Sequence, residues 1–147
     1  MDQSTKIPII KLYDNLIVSI QVDLSDRVVL QLKEDITNAI MSSDATGLVL
    51  ELSGIELMDS FITRSISDIG KTARLMGVET AIAGLSPMIA VTLVEMGMDF
   101  EGVHPALNLE AALEHLEQAK RERGLVEEDG ETDRLARQMA QAGPRDE

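Results

Sequence analysis

Leu48-Val49-Leu50-Glu51-Leu52-Ser53-Gly54-Ile55-Glu56-Leu57-Met58-Asp59-Ser60-Phe61-Ile62 is the stretch whose reading decides the fold. Its first five residues form a short, nearly continuous apolar run, the pattern of a central strand covered on both faces. Residues 53–58 break that pattern, and Asp59-Ser60 then supplies two residue types that cap helices. Beyond them Ile62, Ile66, Ile69, Ala73 and Met76 recur in steps of four and three, which predicts a helix over about 59–76 with one buried face. Gly77 is placed to end it. A strand, a loop and a helix thus meet where Ser60 presents a hydroxyl on a first helical turn, beside the carboxylate of Asp59.

Toward the N-terminus, residues 7–12 are apolar and β-branched, with Pro8 confining them to an edge or a strand start. Tyr13-Asp14-Asn15 is turn chemistry, and residues 16–20 read as a second strand, so the two form a hairpin. Asp23-Leu24-Ser25-Asp26 offers capping residues, and Val29, Leu32, Ile36, Ala39 and Ile40 then line one face of a helix. Toward the C-terminus, residues 78–84 read as a less hydrophobic, half-exposed strand. Ser86-Pro87 pairs an N-cap with Pro at the first helical position, and Gly97 ends that helix. Residues 98–103 have room for a short edge strand. Asn108 caps a last helix that carries Leu109, Ala112, Leu113 and Leu116 on one face.

The order β-β-α-β-α-β-α-(β)-α predicts an α/β fold, a mostly parallel sheet with crossover helices and an antiparallel N-terminal hairpin. Residues 1–123 make one domain. Residues 124–147 read as an acidic, disordered tail, with Leu135 and Met139 too few to build a core.

Composition excludes several functions. Of the 147 residues 44% are hydrophobic but only 2% aromatic, and the net charge is −13. Such a chain lacks both the stacking rings and the clustered cations of a nucleic-acid binder. With no cysteine, thiolate metal sites and disulfides are absent. His104 and His115 lack ligand-like spacing, and no metal or cofactor is expected. No apolar run is long enough to cross a bilayer, and the N-terminus lacks the pattern of a signal peptide, so a cytoplasmic protein is the expectation.

The chemistry concentrates near Ser60. The ordinary role of a Ser at a helix start is capping, and Asp59 is a second cap candidate. The same position tolerates a phosphate, because the helix N-terminus has unpaired N–H groups and a positive dipole end. Helical spacing places Ser60, Thr63, Arg64, Ser67 and Lys71 on one face. Arg64, Lys71 and Arg74 form a local basic patch, which reads either as solvated charge or as a docking surface. Thr92 lies mid-helix, where a Thr faces solvent or bonds back to the preceding turn. No Gly-x-Ser-x-Gly or phosphate-cradling motif is present.

Asp-Ser opening the helix after the central strand, within this order of elements, resembles a STAS domain, the fold of bacterial anti-anti-sigma factors. Asp59-Ser60-Phe61-Ile62, Leu75-Met76-Gly77 and Ala90-Val91-Thr92-Leu93 look like its RsbS branch, the small single-domain subunits of the stressosome. The resemblance spans about residues 6–120. Apolar Phe61 and Ile62 stand where ordinary anti-anti-sigma factors carry a small residue and Gly, which favours the RsbS branch. The resemblance implies a non-enzymatic scaffold that sequesters a switch serine/threonine kinase alongside paralogous STAS-domain subunits, with self-association. It implies phosphorylation of Ser60, release of the kinase and resetting by a phosphatase. A second acceptor in related subunits falls near Thr92. Partner contacts are expected at Asp59, Phe61, Arg64, Ser67 and Lys71. The alternatives are a plain anti-anti-sigma factor that binds an anti-sigma kinase directly, and an enzyme built on the strand-end loops.

Overall fold

The computed structural model describes residues 7–124. Strands β1 (Ile9–Leu12) and β2 (Asn15–Ser19) form the antiparallel hairpin, turning at Tyr13 with its φ of 58°. Helix α1 (Asp26–Met41) follows; its N-cap is Ser25, whose hydroxyl accepts from Val28 N–H. Then come β3 (Gly47–Glu51), α2 (Ser60–Leu75), β4 (Glu79–Ala83), α3 (Pro87–Glu95), β5 (His104–Ala106) and α4 (Leu109–Glu122). The sheet order is β1-β2-β3-β4-β5, with every pairing after the hairpin parallel. The apolar run thus occupies the middle strand, as its pattern requires. The described residues divide into two units, 7–116 and 117–124.

Strand alternation sorts the core into two layers. Leu16, Val18, Leu48, Leu50 and Ile82 face α1, α2 and α3, where they meet Val29, Leu32, Ile36, Ile62, Ile66, Ile69, Ile89 and Leu93. Val49, Ala81 and Ala83 face the other way and pack under Ala112 and Leu116 of α4. Each large aliphatic side chain so buried contributes roughly 1.5–3 kcal/mol.

Two expectations change. Residues 80–83 of β4 are buried, not half exposed, because the strand lies between β3 and β5 with helices on both faces. Its small Ala side chains lower its hydrophobicity while making room for α4. The edge strand is His104–Ala106 instead of residues 98–103. Pro105 suits an edge. Residues 98–103 form a loop against α2, where Glu101 N–H donates to Ser67 Oγ at 3.1 Å and Gly102 adopts a φ of +84°. Only Gly124 of the expected tail 124–147 lies among the described residues.

Candidate functional site

Parallel strands β2, β3 and β4 end on one edge of the sheet, and the loop from β3 to α2 leaves from there. Ile20 N–H donates to the Glu51 carbonyl at 2.9 Å and Leu52 N–H to the Ala83 carbonyl at 2.8 Å. Gly54 lies so close to β2 that a Cβ would sit 2.7 Å from the Ile20 carbonyl oxygen. Asp23 Oδ1 accepts from Glu56 N–H at 3.2 Å. The first part of the loop is thereby tied to β2, to β4 and to Asp23.

Asp59 is the N-cap of α2. Its extended backbone (φ −108°, ψ −176°) lets Oδ1 accept from Ile62 N–H at 2.8 Å. Its carbonyl accepts from Thr63 N–H at 3.0 Å and from Thr63 Oγ1 at 2.8 Å. Ser60 is therefore the first helical residue and not the cap. Its side chain is partly exposed and makes no hydrogen bond among the described residues. Asp59 Oδ1 is thus engaged with the helix backbone, and no hydrogen bond joins the carboxylate to the Ser60 hydroxyl among the described residues. A cap of this kind stabilises a helix by about 1 kcal/mol.

A groove of about 410 Å³ runs along α2 against the loop that follows α3; its lining begins at Phe61, the residue after Ser60, and does not include Ser60. Phe61, Arg64, Ser67 and Lys71 line it, together with Asp68 and Met98. Four of the five expected contact residues therefore share one depression, and Asp59 stands outside it. The helix face is not uniformly polar surface, however. Thr63 and Ser67 are buried, Ser67 beneath the loop whose Glu101 N–H it accepts from. The basic patch is also largely neutralised: Lys71 pairs with Glu101 at 3.1 Å and Arg74 with Glu79 at 3.4 Å. Arg64 makes no ion pair among the described residues and is exposed.

A profile of the STAS domain matches residues 6–121. This chain belongs to the STAS-domain family. The domain resembles a serine-to-glutamate variant of Moorella thermoacetica RsbS at 36% identity and a TM-score of 0.68, over 79% of this chain and 98% of that one. It resembles a chain of the stressosome at 35% identity and a TM-score of 0.61, over 78% and 99% of the two chains. It is 36% identical to the RsbT co-antagonist protein RsbRD of Bacillus subtilis (strain 168) over 66 residues, 45% of this chain and 24% of that protein.

Elsewhere in this STAS domain, Thr92 is exposed and its Oγ1 donates to the Met88 carbonyl at 2.9 Å, the back-bonding arrangement of a mid-helix Thr. Sequence reasoning missed Gly70, Met98 and Glu101. At Gly70 a Cβ would sit 2.4 Å from Val103 Cγ1 and 2.5 Å from the Gly102 carbonyl oxygen. The signal was present as Ser67 and Gly70, small residues one turn apart that admit a close neighbour.

The two histidines, eleven positions apart, stack with ring centroids 3.6 Å apart. Glu79 lies 3.4 Å from His115 Nε2. Desolvation of its ring holds His104 below the ordinary histidine value, repulsion from His115 adds to this, and Glu79 opposes it. Among the described residues no group of three or more His, Cys, Asp or Glu could hold a metal ion, and no helix is long and apolar enough to cross a membrane.

Proposed function

We propose that this chain is a non-enzymatic, phosphorylatable scaffold that holds a switch serine/threonine kinase within an assembly of paralogous STAS-domain subunits, and lets it go when Ser60 is phosphorylated. The observation that carries this reading is Ser60 itself: a partly exposed hydroxyl that makes no hydrogen bond among the described residues, on the first turn of a capped helix and one residue before a groove lined by Phe61, Arg64, Ser67 and Lys71. The likeness to RsbS and to a stressosome chain supports the assembly, and the likeness to an RsbT co-antagonist supports the antagonism of a partner protein.

In the modification step the Ser60 oxygen bonds to the γ-phosphorus of ATP, its proton leaves to solvent or to a kinase base, and ADP departs. About two negative charges are added next to Asp59. The capped first turn tolerates them, so the fold survives and only the surface changes. A phosphatase restores the hydroxyl by hydrolysis.

The test is kinase binding and labelling of Ser60 variants. Ser60→Ala folds, holds the kinase, takes no label from ATP and resists release. Ser60→Asp weakens the complex by roughly tenfold, about 1.4 kcal/mol. Undiminished label in Ser60→Ala refutes the site. Size separates this reading from a plain anti-anti-sigma factor: mixing with a STAS paralogue yields a very large particle, whereas a small complex in every mixture favours the alternative.

A further inference from the structure

We infer that Arg64 is the arm through which a phosphate on Ser60 acts on the groove; the inference rests on the proposed modification of Ser60. Residues four apart on a helix are neighbours, and each side chain leans toward the N-terminus. Arg64, which lines the groove in the unmodified chain, is therefore within reach of the turn that begins with Ser60. An acidic group four positions N-terminal to a basic one is the favoured order of such pairs.

The other cations of α2 are badly placed for this role. Lys71 is eleven residues on, about 16 Å along the axis at ~1.5 Å per residue, and is paired with Glu101. Arg74 is farther still and is paired with Glu79. Arg64 is exposed and makes no ion pair among the described residues. Its nearest rival acid on the helix is Asp68, which stands on the C-terminal side, the less favoured order, and carries a single charge. A phosphate near −2 with three acceptor oxygens outcompetes one carboxylate for a planar guanidinium.

The consequence reaches the groove, because Arg64 is part of its lining. With Lys71 neutralised by Glu101, Arg64 is the cation the groove offers to a partner. Drawn one turn toward Ser60, it leaves Asp68 and Asp99 facing the depression without it. One modification thus adds negative charge at the helix start and removes positive charge from the groove.

Phosphoserine installed at position 60 by genetic encoding tests this without any kinase. The second phosphate ionisation, followed by phosphorus NMR, falls lower in the otherwise wild-type chain than in Arg64→Gln by about half a pH unit from its ordinary value near 6, and Lys71→Gln leaves it in place. The Met98 methyl resonance shifts when the phosphate is present in the wild-type chain and not in Arg64→Gln. Coincident ionisations in the wild-type and Arg64→Gln chains overturn the pairing. A Met98 shift that persists in Arg64→Gln overturns its route to the groove. A kinase that leaves Ser60 unlabelled refutes the modification while the installed phosphate still pairs with Arg64, so the two ideas fail separately.

Discussion

Gly70 lets residues 102–103 press against α2, and Asp59 caps its start. In an open helix, replacing Gly by Ala gains about 1 kcal/mol. Here the added methyl would meet both the Val103 side chain and the Gly102 backbone, and backbone cannot rotate aside. Gly70→Ala should therefore lower stability by ~1–3 kcal/mol, the ordinary cost of overpacking. A urea denaturation midpoint measures it, and a gain in stability would show that residues 102–103 do not press on α2. Asp59 was legible as a cap candidate, since the residue type and its place before an apolar period are both visible. Which of two adjacent caps does the work was not legible. That depends on which residue adopts the extended backbone and which the helical one, and here Asp59 is extended and Ser60 is the first helical residue.

Among the elements, β4 shows where reading by hydrophobicity fails. Ala81 and Ala83 are small because α4 lies over them, so a strand buried on both faces looks amphipathic. Thr80 on the same strand is buried, and its hydroxyl has no hydrogen-bond partner among the described residues. Leaving a hydroxyl buried and unpaired costs ~1–3 kcal/mol, and Val has nearly the same shape. Thr80→Val should accordingly raise the stability of the fold by about 1 kcal/mol, seen as a higher thermal midpoint. A loss would mean that the hydroxyl is engaged. By contrast β3 and α2 were readable almost whole. An unbroken apolar run and a strict four-three step need no tertiary contact to declare themselves. The loop 98–103 was not readable, because its contact with α2 rests on Ser67 and Gly70, which carry no hydrophobic signal.

At the scale of the whole molecule, the stack of His104 and His115 joins β5 to α4 and links stability to pH. His104 ionises below its ordinary value of 6.5 in the fold, so the folded state binds its proton less readily than the unfolded chain does. Its contribution is full above that value and is lost as pH falls through the folded value. The wild-type protein should lose more of its thermal midpoint between pH 7 and pH 5 than His104→Gln does, and parallel profiles would exclude the linkage. Sequence by itself determined the order of elements, the central place of β3, the hairpin and the position of a hydroxyl at the start of α2. All of these follow from periodicity, turn chemistry and capping, which act within a few residues of each other. Tertiary structure alone decided that Thr63 and Ser67 are buried, that Lys71 and Arg74 are paired while Arg64 stands apart, and that Phe61, Arg64, Ser67 and Lys71 share a groove. Several of those outcomes depend on residues 30 or so positions away, such as Glu101 reaching Ser67 and Lys71, and the pairing of Arg74 depends on β4 bringing Glu79 back beside the end of α2. No local pattern encodes which distant acid will meet which base.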